Sequence, residues 1–184
     1  MRKRKDIFEY SDKIVVSDAS PLIDLNKIDK LYYLKLLFNE VYTTSEVKKE
    51  CHFKLPDWIK IKDPTENMEK LVNKEGIDKG EATAIALVVQ LDTLQSDNII
   101  KSKQSLILDD GNAFYAVMQL KLNIDCIKLK DVFSLAYDKK LFTKEEGIEL
   151  FKLLNKRGRE FDNKDLNFIF NEQIATKINT KVKK

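Results

Sequence analysis

Residues 15–23 read Val-Val-Ser-Asp-Ala-Ser-Pro-Leu-Ile, an apolar run that ends abruptly in the carboxylate of Asp18. The run predicts a buried strand that ends at Ser17, and Ser20 with Pro21 predicts the start of a helix directly after it. Ligands of open α/β sheets bind at the carboxyl ends of the strands, where Asp18 would lie. This stretch therefore predicts an α/β fold and the first residue of a site.

A second stretch, Leu-Ile-Leu-Asp-Asp at residues 106–110, repeats the arrangement later in the chain. If the two strands are neighbours, their terminal acids lie close together and outline a metal site. One acid of the second pair should cap the helix that follows, and Asp110 is better placed because Gly111 leads straight into that helix. Asp109 is therefore the favoured metal ligand, and Asp110 is kept as a second candidate.

Predicted strands alternate with predicted helices along the chain, which indicates a parallel sheet with helices on both faces. The predicted strands are 14–17, 40–43, 58–61, 105–108 and 124–127. The predicted helices are 20–28, one capped by Asp29, one from Thr43 or Thr44 to about Cys51, 66–72, 80–91, 112–120, 132–137, 144–154 and 165–174.

Composition excludes several classes of protein. Apolar residues make up 43% of the 184, so the chain is not disordered as a whole. Charged residues reach 34% but nearly cancel at +3, so any nucleic-acid contact must come from local patches. Cys51 and Cys126 have no metal-ligand spacing and indicate a reducing, cytoplasmic setting, and no apolar run is long enough to span a membrane.

Two glutamates lie four residues apart on the third predicted helix, and therefore on one side of it. Thr43 and Glu46 match a capping box, which explains Glu46 locally. Glu50 lies about a turn further along, beside the apolar Cys51, and is harder to explain by local structure. We therefore place Glu50 in the candidate site; the alternative is an exposed glutamate among lysines.

Glu81 opens a helix that is apolar nearly all round. Asp78 and Glu81 also fit a capping box, and acids are favoured at helix N-termini by the helix dipole. From the residues alone, a local and a functional role for Glu81 are equally supported.

A site built from carboxylates, without matching histidines or cysteines, selects hard divalent ions such as Mg²⁺ or Mn²⁺. Such an ion offsets the repulsion between the acids and a phosphate, polarises the phosphoryl oxygen and activates a water. The pattern therefore predicts hydrolysis of phosphodiester bonds.

Four segments resemble, in order and rough spacing, the motifs of PIN domains. They are Asp-Ala-Ser-Pro-Leu-Ile at 18–23, Thr-Ser-Glu-Val-Lys-Lys-Glu at 44–50, Gly-Glu-Ala-Thr-Ala-Ile-Ala-Leu at 80–87, and Leu-Ile-Leu-Asp-Asp at 106–110. The resemblance covers about residues 14–135 and is closest to prokaryotic PIN proteins related to VapC toxins. Relatives in this branch often carry an arginine about where Phe114 stands and a glycine near Cys126.

The resemblance implies a three-layer α/β/α sandwich with a parallel central sheet and an Mg²⁺- or Mn²⁺-dependent ribonuclease. Its acids would match Asp18, Glu50, Glu81 and Asp109, with Ser20 as the small residue that supports the first aspartate. It implies RNA as the substrate, and, for a toxin, a small antitoxin protein as partner. A homodimer through the early helices is also expected.

The resemblance divides the chain into three parts. Residues 1–13 are expected to be a loose lead-in, 14–140 a PIN-like nuclease domain, and 141–184 a helical C-terminal extension with a basic tail. Basic stretches at 2–5, 156–159 and 181–184 are candidates for phosphate contacts. Arg157 and Arg159 are the best placed of these, because the glycine between them allows a close backbone approach.

Three other functions are compatible with the residues. The first is a PIN-fold protein that binds RNA or a protein partner without cutting it. The second is a structure-specific DNA nuclease, although its longer helical arch is not evident between residues 55 and 80. The third is an α/β phosphohydrolase of small phosphate esters, against which the absence of a glycine-rich phosphate loop counts.

Overall fold

A sheet of five parallel strands forms the centre of the protein, in a computed structural model that describes residues 13–72, 76–95, 104–119 and 124–170. The strand order is β3-β2-β1-β4-β5, with β1 in the middle. The strands are β1 (Ile14–Ser17), β2 (Glu40–Thr43), β3 (Ile59–Ile61), β4 (Ser105–Ile107) and β5 (Asp125–Ile127).

Helices flank this sheet and confirm the predicted α/β/α architecture. They are α1 (Ala19–Lys27), α2 (Tyr32–Leu37), α3 (Ser45–Glu50), α4 (Glu66–Val72), α5 (Lys79–Gln95), α6 (Gly111–Gln119), α7 (Leu129–Asp138), α8 (Lys144–Lys156) and α9 (Asn163–Ile169). The long helix α5 packs on β1 and β4 and buries residues 83–89, as its nearly continuous apolar sequence predicts.

The order of the strands reverses at β1, because the chain adds β2 and β3 on one side before it returns to place β4 on the other. Val16 of β1 pairs with Tyr42 of β2 and with Leu106 of β4. A crevice for ligands forms at such a reversal, at the carboxyl ends of the strands. The topology therefore brings the segments after β1 and β4 to one place.

Aromatic rings pack the C-terminal extension against α7. The ring centroid of Phe133 in α7 lies 4.9 Å from that of Phe151 in α8 and 5.8 Å from that of Phe161, between α8 and α9. Edge-to-face pairs at this spacing add to the stabilisation gained by burying the rings. The predicted division at residue 140 stays a prediction, but α8 is anchored on the α/β domain.

The predicted start of the second helix is wrong, and the helix predicted from 132 begins three residues earlier, at Leu129. Asp29 was expected to cap the second helix, but it has a left-handed backbone with φ 53°, and α2 begins three residues later, after Leu31. Aspartate tolerates the left-handed region because its short side chain bonds locally, so the residue serves the turn between α1 and α2 instead.

Two groups of predictions lie outside the described residues: the lead-in at 1–12 with its basic stretch, and the basic tail from 171 onward. Among the residues that the structure does describe, we find no helix of the length and apolar character needed to cross a membrane.

Candidate acidic site

Asp18 lies at the junction of β1 and α1, and its side chain is only 4% exposed. Its backbone N–H donates to the carbonyl of Ile107 over 3.1 Å, so it continues the ladder between β1 and β4. The carboxylate makes no capping hydrogen bond, and its Oδ1 has no partner among the described residues. The expectation that Ser20 caps α1 is wrong, because the helix begins at Ala19 and Ser20 is an exposed residue of its first turn.

The pKa of Asp18 is raised to about 6, mainly by burial. The carboxylates of Asp78 and Asp109 contribute to this rise, while the backbone N–H groups of Ala19 and Ser20 oppose it. Desolvation disfavours an ionised carboxylate, and neighbouring acids do the same by repulsion. Asp18 is therefore a buried acid whose charge is only partly compensated, by the N–H groups of Ala19 and Ser20.

Helix α3 brings the second acid to the site, and its cap differs from the predicted one. Thr44, not Thr43, caps α3 and accepts a hydrogen bond from the Val47 N–H over 3.3 Å. Thr43 instead donates its hydroxyl to the carbonyl of Ser17 over 2.9 Å, because it ends β2 beside β1. The predicted capping box of Thr43 and Glu46 is thus wrong.

The Glu46 side chain binds lysines instead of the helix backbone. Its Oε1 lies 2.8 Å from Nζ of Lys49 and 2.9 Å from Nζ of Lys79. These ion pairs lower the pKa of Glu46. Lysines therefore bind Glu46, its charge also raises the pKa of Glu50, and its exclusion from the metal site stays a prediction.

Glu50 is the last residue of α3, and its carboxylate lies against Gly80 in the first turn of α5. Burial of the carboxylate raises the pKa of Glu50, and the carboxylates of Asp78 and Asp18 raise it further. The structure therefore brings Glu50 and Asp18 within electrostatic reach of each other.

The local role of Glu81 is confirmed, and its functional role stays a prediction. Its N–H donates to Asp78 Oδ1 over 2.8 Å and its Oε2 accepts from the Asp78 N–H over 3.3 Å, which confirms the capping box. The side chain is nonetheless buried, and burial raises the pKa of Glu81 to about 7. Part of this rise comes from the carboxylates of Asp78, Asp110 and Asp18, so Glu81 lies within electrostatic reach of the other acids.

The cap predicted at Asp110 is confirmed, whereas the predicted metal-binding role of Asp109 stays a prediction. Asp110 Oδ1 accepts from the N–H groups of Asn112 over 2.7 Å and Ala113 over 3.0 Å, so Asp110 caps α6. Asp109 Oδ1 accepts from the Leu129 N–H at the start of α7 over 3.0 Å. Asp110 therefore caps α6, whereas Asp109 contacts the start of α7, which follows the neighbouring strand β5.

The two predicted nucleic-acid residues both have partners within the protein. Arg157 donates from Nη1 to the carbonyl of Lys27, the last residue of α1. Arg159 places Nη2 2.5 Å from Asp109 Oδ2 and Nη1 3.5 Å from Asp24 Oδ2. The prediction that these arginines contact RNA stays a prediction.

Sequence reasoning missed two acids at this site. Asp78 was interpreted only as a helix cap, yet it raises the pKa values of Asp18, Glu50 and Glu81. Asp24 was not considered at all. The signal for Asp24 was its place on the apolar side of α1, where it is 6% exposed among buried leucines.

The donor set fits a hard divalent cation. It consists of carboxylate oxygens, it includes a buried Oδ1 of Asp18 that has no hydrogen-bond partner, and it holds acids that repel one another. Within the described ranges, no three acidic, histidine or cysteine side chains converge closely enough to form a complete coordination shell. The residues that best fit the cation are Asp18 and Asp109, with Asp110 already committed to α6.

The geometry agrees with a comparison against known families. A family model described as the PIN domain matches residues 14–124, a range that contains every acid described above. PIN domains are generally nucleases, and they usually use divalent metals. No curated protein and no solved structure matches the chain. The chain belongs to the PIN domain family.

Proposed function

We propose that the protein is a metal-dependent endoribonuclease of the VapC-like branch that hydrolyses RNA phosphodiester bonds. The observation that carries this proposal is the buried Asp18, whose Oδ1 lacks a partner beside carboxylates that already repel it. A fold does not maintain such an arrangement for stability, because uncompensated buried charge is costly. A bound cation relieves that cost.

In this proposal Asp18 and Asp109 hold Mg²⁺ or Mn²⁺, which supplies Lewis acidity and a more acidic water when bound. Glu81, with a pKa of about 7, takes up or releases a proton near neutral pH and is placed to assist proton transfer. Glu50, at the end of α3, adds a further carboxylate to the site. Ser20, in the first turn of α1, would support Asp18, to which its backbone N–H contributes a hydrogen bond.

The preference for RNA rests on the resemblance to VapC-like proteins. The structure adds cations beside the acids: Lys49 and Lys79 both reach Glu46, and their side chains are 69% and 72% exposed. Exposed lysines at the rim of an acidic site attract a phosphate backbone that the acids alone would repel.

The test is cleavage of end-labelled RNA, single-stranded DNA and duplex DNA by the purified protein with Mn²⁺. We expect cleavage of RNA that leaves 5′-phosphate ends, and at least a hundredfold loss with Asp18→Asn. Asp57→Asn, at an exposed acid outside the four motifs, is the matched control and should cut normally. Cleavage that persists in Asp18→Asn contradicts the assigned site. Cutting of DNA alone favours the structure-specific nuclease, and binding without cutting favours an inactive PIN module.

We also propose two protein partners, a second copy of the chain and a small antitoxin, each on separate grounds. Tyr32 and Leu36 on α2 are 44% and 42% exposed, which is unusual for large apolar side chains and supports a homodimer through the early helices. Sedimentation of the wild type and of Leu36→Glu tests this. The small antitoxin is proposed from the resemblance; an adjacent short reading frame whose product co-purifies with the chain tests it.

A further inference from the structure

The C-terminal extension reaches the acid site through one side chain. Helix α8 and the segment after it lie beyond residues 14–124, which carry the family match, yet Arg159 contacts Asp109 at the end of β4. Two parts of the chain that are distant in sequence therefore meet at the residue we propose as a metal ligand.

The end of α8 is built to deliver this arginine. Gly158 adopts a left-handed backbone with φ 89°, and the Arg159 N–H donates back to the carbonyl of Leu154 over 3.1 Å. This is the helix-ending geometry in which a glycine turns the chain back across the last turn. Arg157 bonds to the carbonyl of Lys27 at the end of α1, so the turn is docked on α1 at a second point.

The guanidinium of Arg159 bridges two carboxylates. Nη2 lies 2.5 Å from Asp109 Oδ2, and Nη1 lies 3.5 Å from Asp24 Oδ2 on α1. The side chains of both aspartates are 9% exposed, and the Cζ of Arg159 lies 6.0 Å from the centre of the Phe161 ring. The planar, five-donor fork of arginine suits such a bridge, and a lysine cannot reproduce it.

Both oxygens of Asp109 are therefore held. Oδ1 accepts from the Leu129 N–H over 3.0 Å, and Oδ2 accepts from Arg159. Each carboxylate oxygen keeps a further lone pair for a metal ion. Asp24 offsets part of the positive charge here: its Oδ2 faces Arg159, and its Oδ1 accepts from Nζ of Lys27 over 3.0 Å, so it lies between two cations. Partners of this kind orient metal ligands and tune metal affinity.

We propose that Arg159, with Asp24 as its counter-ion, is a positioning residue that fixes Asp109 for metal binding and makes the C-terminal extension part of the site. This inference rests on the proposed metal site and goes beyond it. It assigns a role to an arginine outside the matched domain and to an aspartate of α1 that the proposed chemistry does not use.

The test is the affinity of the full-length protein for Mn²⁺, measured by calorimetry or by the electron paramagnetic resonance signal of free Mn²⁺. We expect Arg159→Met to weaken Mn²⁺ binding by about tenfold. Arg159→Lys should recover only part of that loss. Arg157→Met is the matched control: it loosens the same turn from α1 but does not touch Asp109, so it should lower thermal stability and leave Mn²⁺ affinity within about twofold of wild type.

A double variant gives the sharper outcome. If Asp24 acts only through Arg159, then Asp24→Asn should change Mn²⁺ affinity little when Arg159→Met is already present. Unchanged or tighter Mn²⁺ binding in a folded Arg159→Met, or equal losses in Arg157→Met and Arg159→Met, overturns the inference while the metal site stands. Failure of the wild type to bind Mn²⁺, or no loss with Asp18→Asn, overturns the proposed function itself.

Discussion

The carboxylate of Glu50 and the backbone of Gly80 are in direct contact, so that a methyl group on Gly80 would collide with Glu50 Oε1. Glu50 ends α3, and Gly80 lies in the first turn of α5. The absence of a side chain at position 80 therefore makes the space in which an acid from another helix approaches Asp18 and Glu81.

We expect Gly80→Ala to displace the Glu50 carboxylate and to reduce nuclease activity by at least tenfold. The protein should still fold, because the colliding atom is the end of a flexible side chain and alanine favours a helix over glycine by about 1 kcal/mol. Cleavage rates and the midpoint of urea unfolding measure the two effects separately.

Gly111→Ala is the matched control for this prediction. Gly111 is also in the first turn of a helix, and a methyl group there meets nothing within 4 Å. The Gly111→Ala variant should retain normal nuclease activity. Equal activity of the two alanine variants would show that Glu50 needs no space at Gly80.

The acid site makes the stability of the metal-free protein depend on pH. The pKa values of Asp18 and Glu81 are raised to about 6 and about 7, above their ordinary values of 3.8 and 4.5. Between the ordinary and the raised values the folded protein binds more protons than the unfolded chain, so these groups stabilise it increasingly as the pH falls from about 7 to about 4.

Glu81→Gln isolates this effect, because glutamine keeps an oxygen for the Asp78 N–H but carries no charge. In the presence of a chelator, we expect Glu81→Gln to unfold at a higher temperature than wild type at pH 8, with the difference vanishing toward pH 4.5. Glu149→Gln, at an exposed glutamate of α8, should follow the wild-type curve. A constant difference between Glu81→Gln and wild type at all pH values would contradict the prediction.

Asp110 and Asp109 can be separated by their different contacts. Asp110→Ala removes the cap of α6 and should lower the free energy of unfolding by about 1 kcal/mol. Asp110→Asn keeps the accepting oxygen and should unfold near the wild-type urea concentration. If Asp109 is the metal ligand, Asp109→Asn weakens Mn²⁺ binding more than Asp110→Asn does. The reverse order would move the ligand to Asp110.

A buried hydroxyl pair fixes the distance between α3 and α5. The Oγ1 atoms of Thr44 and Thr83 lie 2.8 Å apart, and Thr83 also donates to the carbonyl of Gly80 over 2.9 Å. Thr83→Val leaves the buried Thr44 hydroxyl without its acceptor and should lower the free energy of unfolding by about 1–3 kcal/mol.

Thr93→Val provides the comparison in urea unfolding, since Thr93 is exposed and, among the described residues, donates to the carbonyl of Val89 in its own helix. Its effect should stay within about 0.5 kcal/mol. Thr83→Ser keeps the hydroxyl, and its loss of stability should lie between those of Thr83→Val and Thr93→Val. Equal stability of Thr83→Val and Thr93→Val would mean that the pair across the helices contributes nothing.

Short-range chemistry explains which predictions succeeded. The capping box of Asp78 with Glu81 and the cap at Asp110 involve residues within three positions of each other, so their spacing alone identifies them. The exchange of Thr43 for Thr44 shows the limit of such spacing. Both threonines fit a cap, and the pairing of β2 with β1, which gives Thr43 another acceptor, lies outside the local sequence.

The sequence by itself determined the parallel α/β architecture and the acids at its strand ends, because the alternation of apolar strands and helices and the position of each acid are local properties. Only the tertiary structure decided that Asp78 belongs with those acids, that Gly80 makes room for Glu50, and that Arg159 bridges Asp24 and Asp109. Each of these relationships joins residues that are distant in the sequence. Their distances depend on the order of the strands and on the docking of the C-terminal extension, which no local pattern encodes.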